Sequence, residues 1–434
     1  MRSDAEKIYK HAINASLPDS VVKEGIDRLT LPEGRLILVA IGKAAYTMAK
    51  CAKDILKDKI DSGIVITKYA HSEGVIDGVE IYEAAHPVPD EAGIRATERV
   101  LELTSDLSER DTVLFLVSGG GSALFESPLC SLSELAKLTE QLLASGADIN
   151  EINAVRKHIS KVKGGRFAEH VYPAKVFAIV LSDVIGNRLD TIASGPAAPD
   201  TSTVSDVNVI LEKYEIELSD AERAAFCRET PKSISNAQHF IGGSVSQLCL
   251  AAKDAAEELG YKTEILTTVE CGVARDVGQR LAKICCEKCD TDTSIAFIIG
   301  GETVVKLKGD GLGGRNQEIA LAAAPLIAGK KNIAVFSVAS DGTDGPTDAA
   351  GGFVDGNSFK EMERVGAKPL TALENNDSYR ALKSIDGLIF TGPTGTNVND
   401  VAVALIRVGS REENIKERRF ANLERVLNFG ISKE

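Results

Sequence analysis

No stretch of this 434-residue chain is both long and uncharged enough to cross a bilayer, so a membrane span is not expected. A sustained Lys/Arg run is also missing, and 63 acidic against 50 basic residues leave a formal net charge of -13. A field of that sign repels nucleic acid and anionic lipid. Neither is expected as a partner, and an anionic small substrate has to be drawn in by local positive groups. The opening MRSDAEKIYKHAINASL reads as a charged amphipathic helix without the apolar centre or small-residue cleavage site of a signal peptide. A cytoplasmic location is therefore expected. The eight cysteines are scattered, which favours reduced thiols over a disulfide framework. Cys286 and Cys289 form one C-x-x-C late in a helical pattern, with no second ligand pair nearby, so helix packing is expected there rather than zinc or redox chemistry. No internal repeat or low-complexity segment is present.

What is present is enough chain for two cores, and two α/β domains are expected. The first half alternates β-branched runs, RLILVAIG (35–42), GIVIT (63–67), VEIYEA (79–84), TVLFLVSG (112–119) and KVFAIVLSD (175–183), with segments whose apolar residues recur at helical spacing. Continuous apolar strands joined by helical crossovers predict a mostly parallel sheet with helices on both faces. Polar CRETPKSISNAQ around Pro231 suggests a boundary, giving domains 1–232 and 233–434. The N-terminal helix is free to pack on either.

Glycine-rich, polar loops follow several of these strands, where α/β proteins bind ligands. Lys43 stands at a strand-to-helix turn, where its charge and free helix N–H groups would act together on an anion, unless it is simply a surface lysine. Ser118, Gly119, Gly120, Gly121 and Ser122 follow another strand; their amides and two hydroxyls suit phosphate oxygens, the alternative being a turn for tight packing. The Walker pattern is absent. NAVRKHISKVKGGR concentrates basic residues, with Arg156, Ser160 and Lys163 on one helical face, turned to a cleft or to solvent. Asp183 ends a strand, where a carboxylate can take a hydroxyl proton, hold Mg²⁺ or cap the next turn. GLGGRNQE has Asn316 where a dinucleotide fingerprint needs its third glycine, which leaves Arg315 as a fork donor at a helix N-terminus with Glu302, Asn316 and Glu318 as orienting partners. Asp341, Asp344 and Asp348 crowd one loop, which favours a bound cation or Asx-turn chemistry. His86 precedes a proline pair and is either a rigid-turn residue or a catalytic imidazole.

Taken in order, GKAAYTMA, TKYAHSEG, HPVPDEAG, SGGGSALFESP, NAVRKHISKVKGGR, SDVIGNRLDTIASGPAAPD, GGETVV, GGRNQE, SDGTDGPTDAAGG and TGPTGTNVND resemble the glycerate 2-kinases that carry a MOFRL C-terminal domain, over nearly the full length. The resemblance implies transfer of the ATP γ-phosphate to the 2-hydroxyl of D-glycerate with Mg²⁺ or a similar cation. It also implies a Rossmann-like N-terminal domain, a smaller α/β C-terminal domain, and an active-site cleft between them. Lys43 and Arg315 match the family's active-site lysine and arginine. With it, Asp183 is expected as the third catalytic residue, Ser118 to Ser122 as the phosphate cradle, Arg156 and Asn316 as substrate contacts, and Asp341 and Asp344 as metal ligands. An NAD(P)H-dependent hydroxypyruvate reductase and a non-catalytic sugar-acid sensor are the alternatives. Oligomeric state stays open, a homo-oligomer among the options.

Overall fold

The computed structural model describes residues 1–182, 184, 186 and 188–408. Asp183 therefore lies outside the described residues. Two compact units are present: Ile13–Leu248 with Thr394–Asn399, and Met1–Ala12 with Cys249–Pro393 and the chain from Asp400.

The first unit is built on a sheet of β1 (Leu36–Ile41), β2 (Ser62–Lys68), β3 (Val79–Ala84), β4 (Thr112–Val117), β5 (Lys175–Leu181) and β6 (Ala237–Gly243). Their order is β3-β2-β1-β4-β5-β6, and every pairing is parallel. This is the strand order of doubly wound dinucleotide-binding sheets, in which ligands sit beyond the carboxyl ends of the strands where the order reverses, here between β1 and β4. The central strands read LILVAI and TVLFLV because both faces are covered. Ile37, Val39 and Phe115 face one core, while Ile179 on the other face meets the helix Pro18–Asp27 so closely that Gly25 has no room for a Cβ. Each such buried aliphatic side chain is worth roughly 1.5–3 kcal/mol relative to exposure. β6 joins this sheet beside β5, so the sheet runs past the boundary expected at residue 232. A satellite core lies under the helices Leu132–Ala144 and Ile149–His158, each opened by a capping box, Ser131 with Glu134 and Asp148 with Glu151.

The second unit carries β7 (Lys262–Glu270), β8 (Ile295–Gly301), β9 (Ile333–Ala339), β10 (Gly351–Asp355), β11 (Leu388–Ile389) and β12 (Asp400–Ile406), in the order β11-β10-β9-β12-β8-β7. It is mixed: β7 and β8 are parallel, while β12 runs antiparallel to both β8 and β9. The helices Ala274–Lys288 and Arg315–Ile327 share one core with alternate strand residues such as Val335. The neighbouring Phe336 points the other way and meets Tyr9 at 6.2 Å between ring centroids. The first turns of the N-terminal helix thus belong here, held also by Tyr261 Oη donating to Asp4 at 2.7 Å and Arg2 donating to the Leu388 carbonyl. Cys286 and Cys289 are free thiols at the end of the helix Ala274–Lys288. Among the described residues no helix is long and apolar enough to cross a membrane.

Candidate active site

The turns after β1 and β4 are sewn together. Ser118 Oγ donates to the Ile41 carbonyl at 3.2 Å and accepts the Ala44 N–H at 3.0 Å, while the Lys43 N–H donates to the Gly119 carbonyl at 2.9 Å. Gly42 is required: its φ is +111°, and a Cβ would stand 2.3 Å from Ser118 Oγ. Two expectations change here. The Lys43 and Ala44 N–H groups just before the helix Ala45–Leu56 are taken by the β4 turn, the Ala45 N–H donates to the Gly42 carbonyl at 3.2 Å, and the Ser118 hydroxyl is committed to bracing these turns. What is left for an anion is the Lys43 ammonium, which has no hydrogen bond or ion pair among the described residues, and the Gly119 and Gly120 N–H groups, which likewise have no partner there.

These groups border a cavity of about 370 Å³ lined by Lys43, Thr47, His71, Ser118, Gly119 and the segment Gly395–Asn397. That last segment comes from the TGPTGTNVND loop, and Thr396 Oγ1 donating to the Ser16 carbonyl at 2.7 Å ties it to this unit. The His86 ring lies over Gly120, where a Cβ would stand 3.0 Å from it. Burial first, then the neighbouring Lys43 charge, lowers the His86 pKa, which keeps the imidazole neutral at pH 7. Ser122 Oγ accepts from Ser194 Oγ at 3.0 Å, and Arg156 Nη2 donates to the Ser122 carbonyl at 3.3 Å. Ala193 and Ser194 both have positive φ, a strained pair against the glycine turn.

The basic segment divides. Arg156 is half-buried and has no carboxylate partner among the described residues, but Lys163, expected on the same face, is fully buried. Its Nζ lies 3.1 Å from Glu126 Oε2 and donates to the Phe125 carbonyl at 2.8 Å; burial lowers its pKa to about 8. Arg166 is buried on the Ser160 and His158 carbonyls, and Lys157 is held by Asp200 at 3.1 Å. Most of this positive charge therefore holds the unit together. Sequence reading missed Glu126 and Asp200, whose roles depend on partners 37 and 43 residues away.

In the second unit Arg315 opens the helix Arg315–Ile327. Its Nε and Nη2 donate to the two oxygens of Asp400 at 2.6 and 3.2 Å, and Nη1 donates to Glu302 at 2.9 Å. Among the described residues three of the five guanidinium hydrogens find acceptors. Asp400, buried at the head of β12 between Gly301 and Ala339, is a partner the sequence reading did not single out.

Asn316 and Asp344 take other roles than expected. Asn316 is fully buried: its Nδ2 donates to Asp344 Oδ1 and its Oδ1 accepts from Ser337, so it supports the fold instead of offering an amide to substrate. Asp344 is also buried, and its two oxygens accept the Asn316 and Gln317 N–H groups at 3.0 and 2.8 Å. It caps the helix, so the Asn316 and Gln317 N–H groups are already engaged and not offered to a pyrophosphate at the GLGGRN turn. Asp341 accepts the Thr343 N–H in an Asx turn. Asp348 accepts from Tyr379 Oη at 2.7 Å. Among the described residues no group of three or more His, Cys, Asp or Glu side chains is arranged to hold a metal ion.

The fold is that of a doubly wound α/β protein, with a lysine and two glycine amides at its strand reversal that have no partner among the described residues. The comparisons with known proteins narrow the class. A domain of unknown function, DUF4147, matches residues 4–226, and the MOFRL family matches residues 295–400. A D-glycerate 2-kinase of Thermotoga maritima is 55% identical over 408 residues, 93% of this chain and 97% of that one. A glycerate 2-kinase of Pyrococcus horikoshii is 41% identical over 391 residues, 86% of this chain and 88% of that one. The crystal structure of glycerate kinase from Thermotoga maritima matches with a TM-score of 0.89 at 55% identity, covering 93% of this chain and 99% of that one. The chain belongs to the MOFRL-containing glycerate 2-kinase family.

Proposed function

We propose that this chain transfers the γ-phosphoryl group of ATP to the 2-hydroxyl of D-glycerate, giving 2-phosphoglycerate and ADP. The observation that carries the reading is the Lys43 ammonium beside the Gly119 and Gly120 amides, all without a partner among the described residues, in a chain 55% identical to a D-glycerate 2-kinase. Phosphoryl transfer asks a protein mainly for positioning and charge neutralisation, which such groups supply. In the step proposed, the 2-hydroxyl oxygen bonds to the γ-phosphorus as the bond to the bridging β,γ-oxygen breaks. The hydroxyl proton passes to a carboxylate, for which Asp183 is the proposed residue on sequence grounds.

Lys43 neutralises charge on the moving phosphoryl group, and the Gly119–Gly121 turn holds phosphate oxygens. Arg315, with two hydrogens that have no acceptor among the described residues, serves the glycerate carboxylate or the phosphoryl oxygens. Arg156 is a further anion contact. Mg²⁺ or a similar cation neutralises nucleotide phosphates in such reactions; among the described residues no three His, Cys, Asp or Glu side chains are arranged to hold it, and Asp344 caps a helix with both oxygens. No step here runs through it.

The test is ³¹P NMR of the purified chain with ATP, Mg²⁺ and D-glycerate. A 2-phosphoglycerate resonance supports the reading and its regiochemistry. A 3-phosphoglycerate resonance overturns the regiochemistry, and no product overturns the kinase reading.

A further inference from the structure

We infer that the base and ribose of the nucleotide lie in the apolar cavity between the Pro87–Pro89 turn and the helix Leu132–Ala144. The inference rests on the kinase reading and adds to it the place of the nucleoside. This cavity has a volume of about 530 Å³ and is separate from the one at Lys43; Pro87, Val88, Pro89, Leu135 and Leu143 form much of its wall, and the charged side chains lining it are Glu140 and Arg156. The size is that of a small-molecule site, and walls of aliphatic side chains suit a flat heteroaromatic ring. Glycerate, three carbons carrying a carboxylate and two hydroxyls, neither fills nor matches it.

Two contacts join this cavity to the glycine turn. Arg156 lines the cavity and at the same time donates to the Ser122 carbonyl at 3.3 Å. Pro87 lines it, and the adjacent His86 ring lies over Gly120. A molecule with its apolar end between Val88 and Leu143 therefore leaves toward a guanidinium with no carboxylate partner among the described residues, and then toward the free Gly119 and Gly120 amides. Apolar first, then a cation, then backbone donors is the sequence of environments that a base, its first phosphates and its terminal phosphate require in turn. Val88 and Leu143 are 62% and 65% exposed, an apolar pair left in water that a stacked ring would cover. Arg156, expected from sequence as a substrate contact, then serves the nucleotide phosphates.

The experiment compares ATP and inorganic tripolyphosphate as ligands of the full chain and of the Leu143→Glu and Val88→Glu variants, with turnover measured in parallel. Both positions are largely exposed, so the variants should keep their melting temperature. The expected result is an ATP dissociation constant and ATP KM raised about tenfold or more by a carboxylate in the apolar wall, with tripolyphosphate affinity and the KM for glycerate unchanged. 8-Azido-ATP should attach within residues 87–89 or 132–144, protected by ATP. If the wild-type chain turns over ATP while the variants bind it normally, or the label lands elsewhere, the nucleoside site is overturned and the kinase reading stands. If the wild-type chain neither binds nor consumes ATP, both fall. A variant that changes only the sedimenting mass would make this face a self-association surface and overturn the inference.

Discussion

Arg315 grips Asp400 across 85 residues of sequence, Nε to Oδ2 at 2.6 Å and Nη2 to Oδ1 at 3.2 Å, while Glu302 holds a third hydrogen. The fork is aimed by β12, and the aim is what a bidentate donor contributes beyond its charge. Asp400→Asn keeps the shape and removes the carboxylate charge, so the guanidinium is held less firmly. Turnover should fall about tenfold or more, as misplacement of a positioned group does, with the fold retained by circular dichroism. Unchanged turnover would remove Asp400 from the positioning role. Arg315→Ala is a poorer probe, because it strands buried Asp400 without its cation at a cost of about 3–5 kcal/mol; Arg315→Lys, which keeps charge and loses the fork, separates the two effects.

Lys43 is the reverse case, a side chain with no partner among the described residues to lose. Lys43→Ala should lower turnover about a hundredfold or more by removing a preorganised charge, with little change in melting temperature. A folded variant with near-normal kcat would take Lys43 off the catalytic assignment.

Gly42→Ala places a Cβ against Ser118 Oγ at a φ that favours glycine. It should cost about 1–3 kcal/mol in stability, read by urea denaturation, and should reduce activity as well because Ser118 joins the β1 and β4 turns, the proposed phosphate site. Wild-type stability would mean that the β1 turn has an alternative conformation.

Lys163 and Glu126 form a buried pair under the glycine turn. Lys163→Met alone should destabilise by about 3–5 kcal/mol because Glu126 is left charged and buried. The double variant with Glu126→Gln should regain most of that loss, since the amide still accepts from Ser160 Oγ. A double variant as unstable as the single one would show that packing, not charge, sets the cost.

Burial, chiefly, with Asp400 nearby, raises the Asp344 pKa from 3.8 to about 6 in spite of its helix donors. Between those values the folded chain binds a proton that the unfolded chain has released, so this group makes stability fall as pH rises from about 4 to 6 and level off above. The total is no more than about 3 kcal/mol. Asp344→Asn should flatten that window in denaturation curves taken from pH 4 to 7; a slope unchanged by the substitution would assign the effect to other groups.

Much of this was legible along the chain. LILVAI and TVLFLV announce strands buried on both faces, and alternation with amphipathic segments announces a parallel sheet, because periods of 2 and 3.6 are local properties. The glycine turn after β4 and the lysine after β1 were visible as strand-to-helix turns for the same reason. DVAVALI was not marked as a strand, although β12 is central to the second sheet, because it follows a long polar loop and runs antiparallel to both neighbours.

By itself, then, the sequence determined the strands of the first sheet up to β5, which turns carry glycine and a cation, and, through its ordered motifs, which family the chain resembles. Tertiary structure alone decided which of the polar groups are spent. It turned Ser118 into a brace for the β1 turn, Asp344 into a helix cap with Asn316 as its buried donor, and Lys163 into Glu126's buried partner, while among the described residues it left Lys43 without a partner and two Arg315 hydrogens without an acceptor. The physical reason is that local pattern depends on neighbours in sequence, whereas the use of a charge or a hydrogen bond depends on which distant group burial brings within 3 Å.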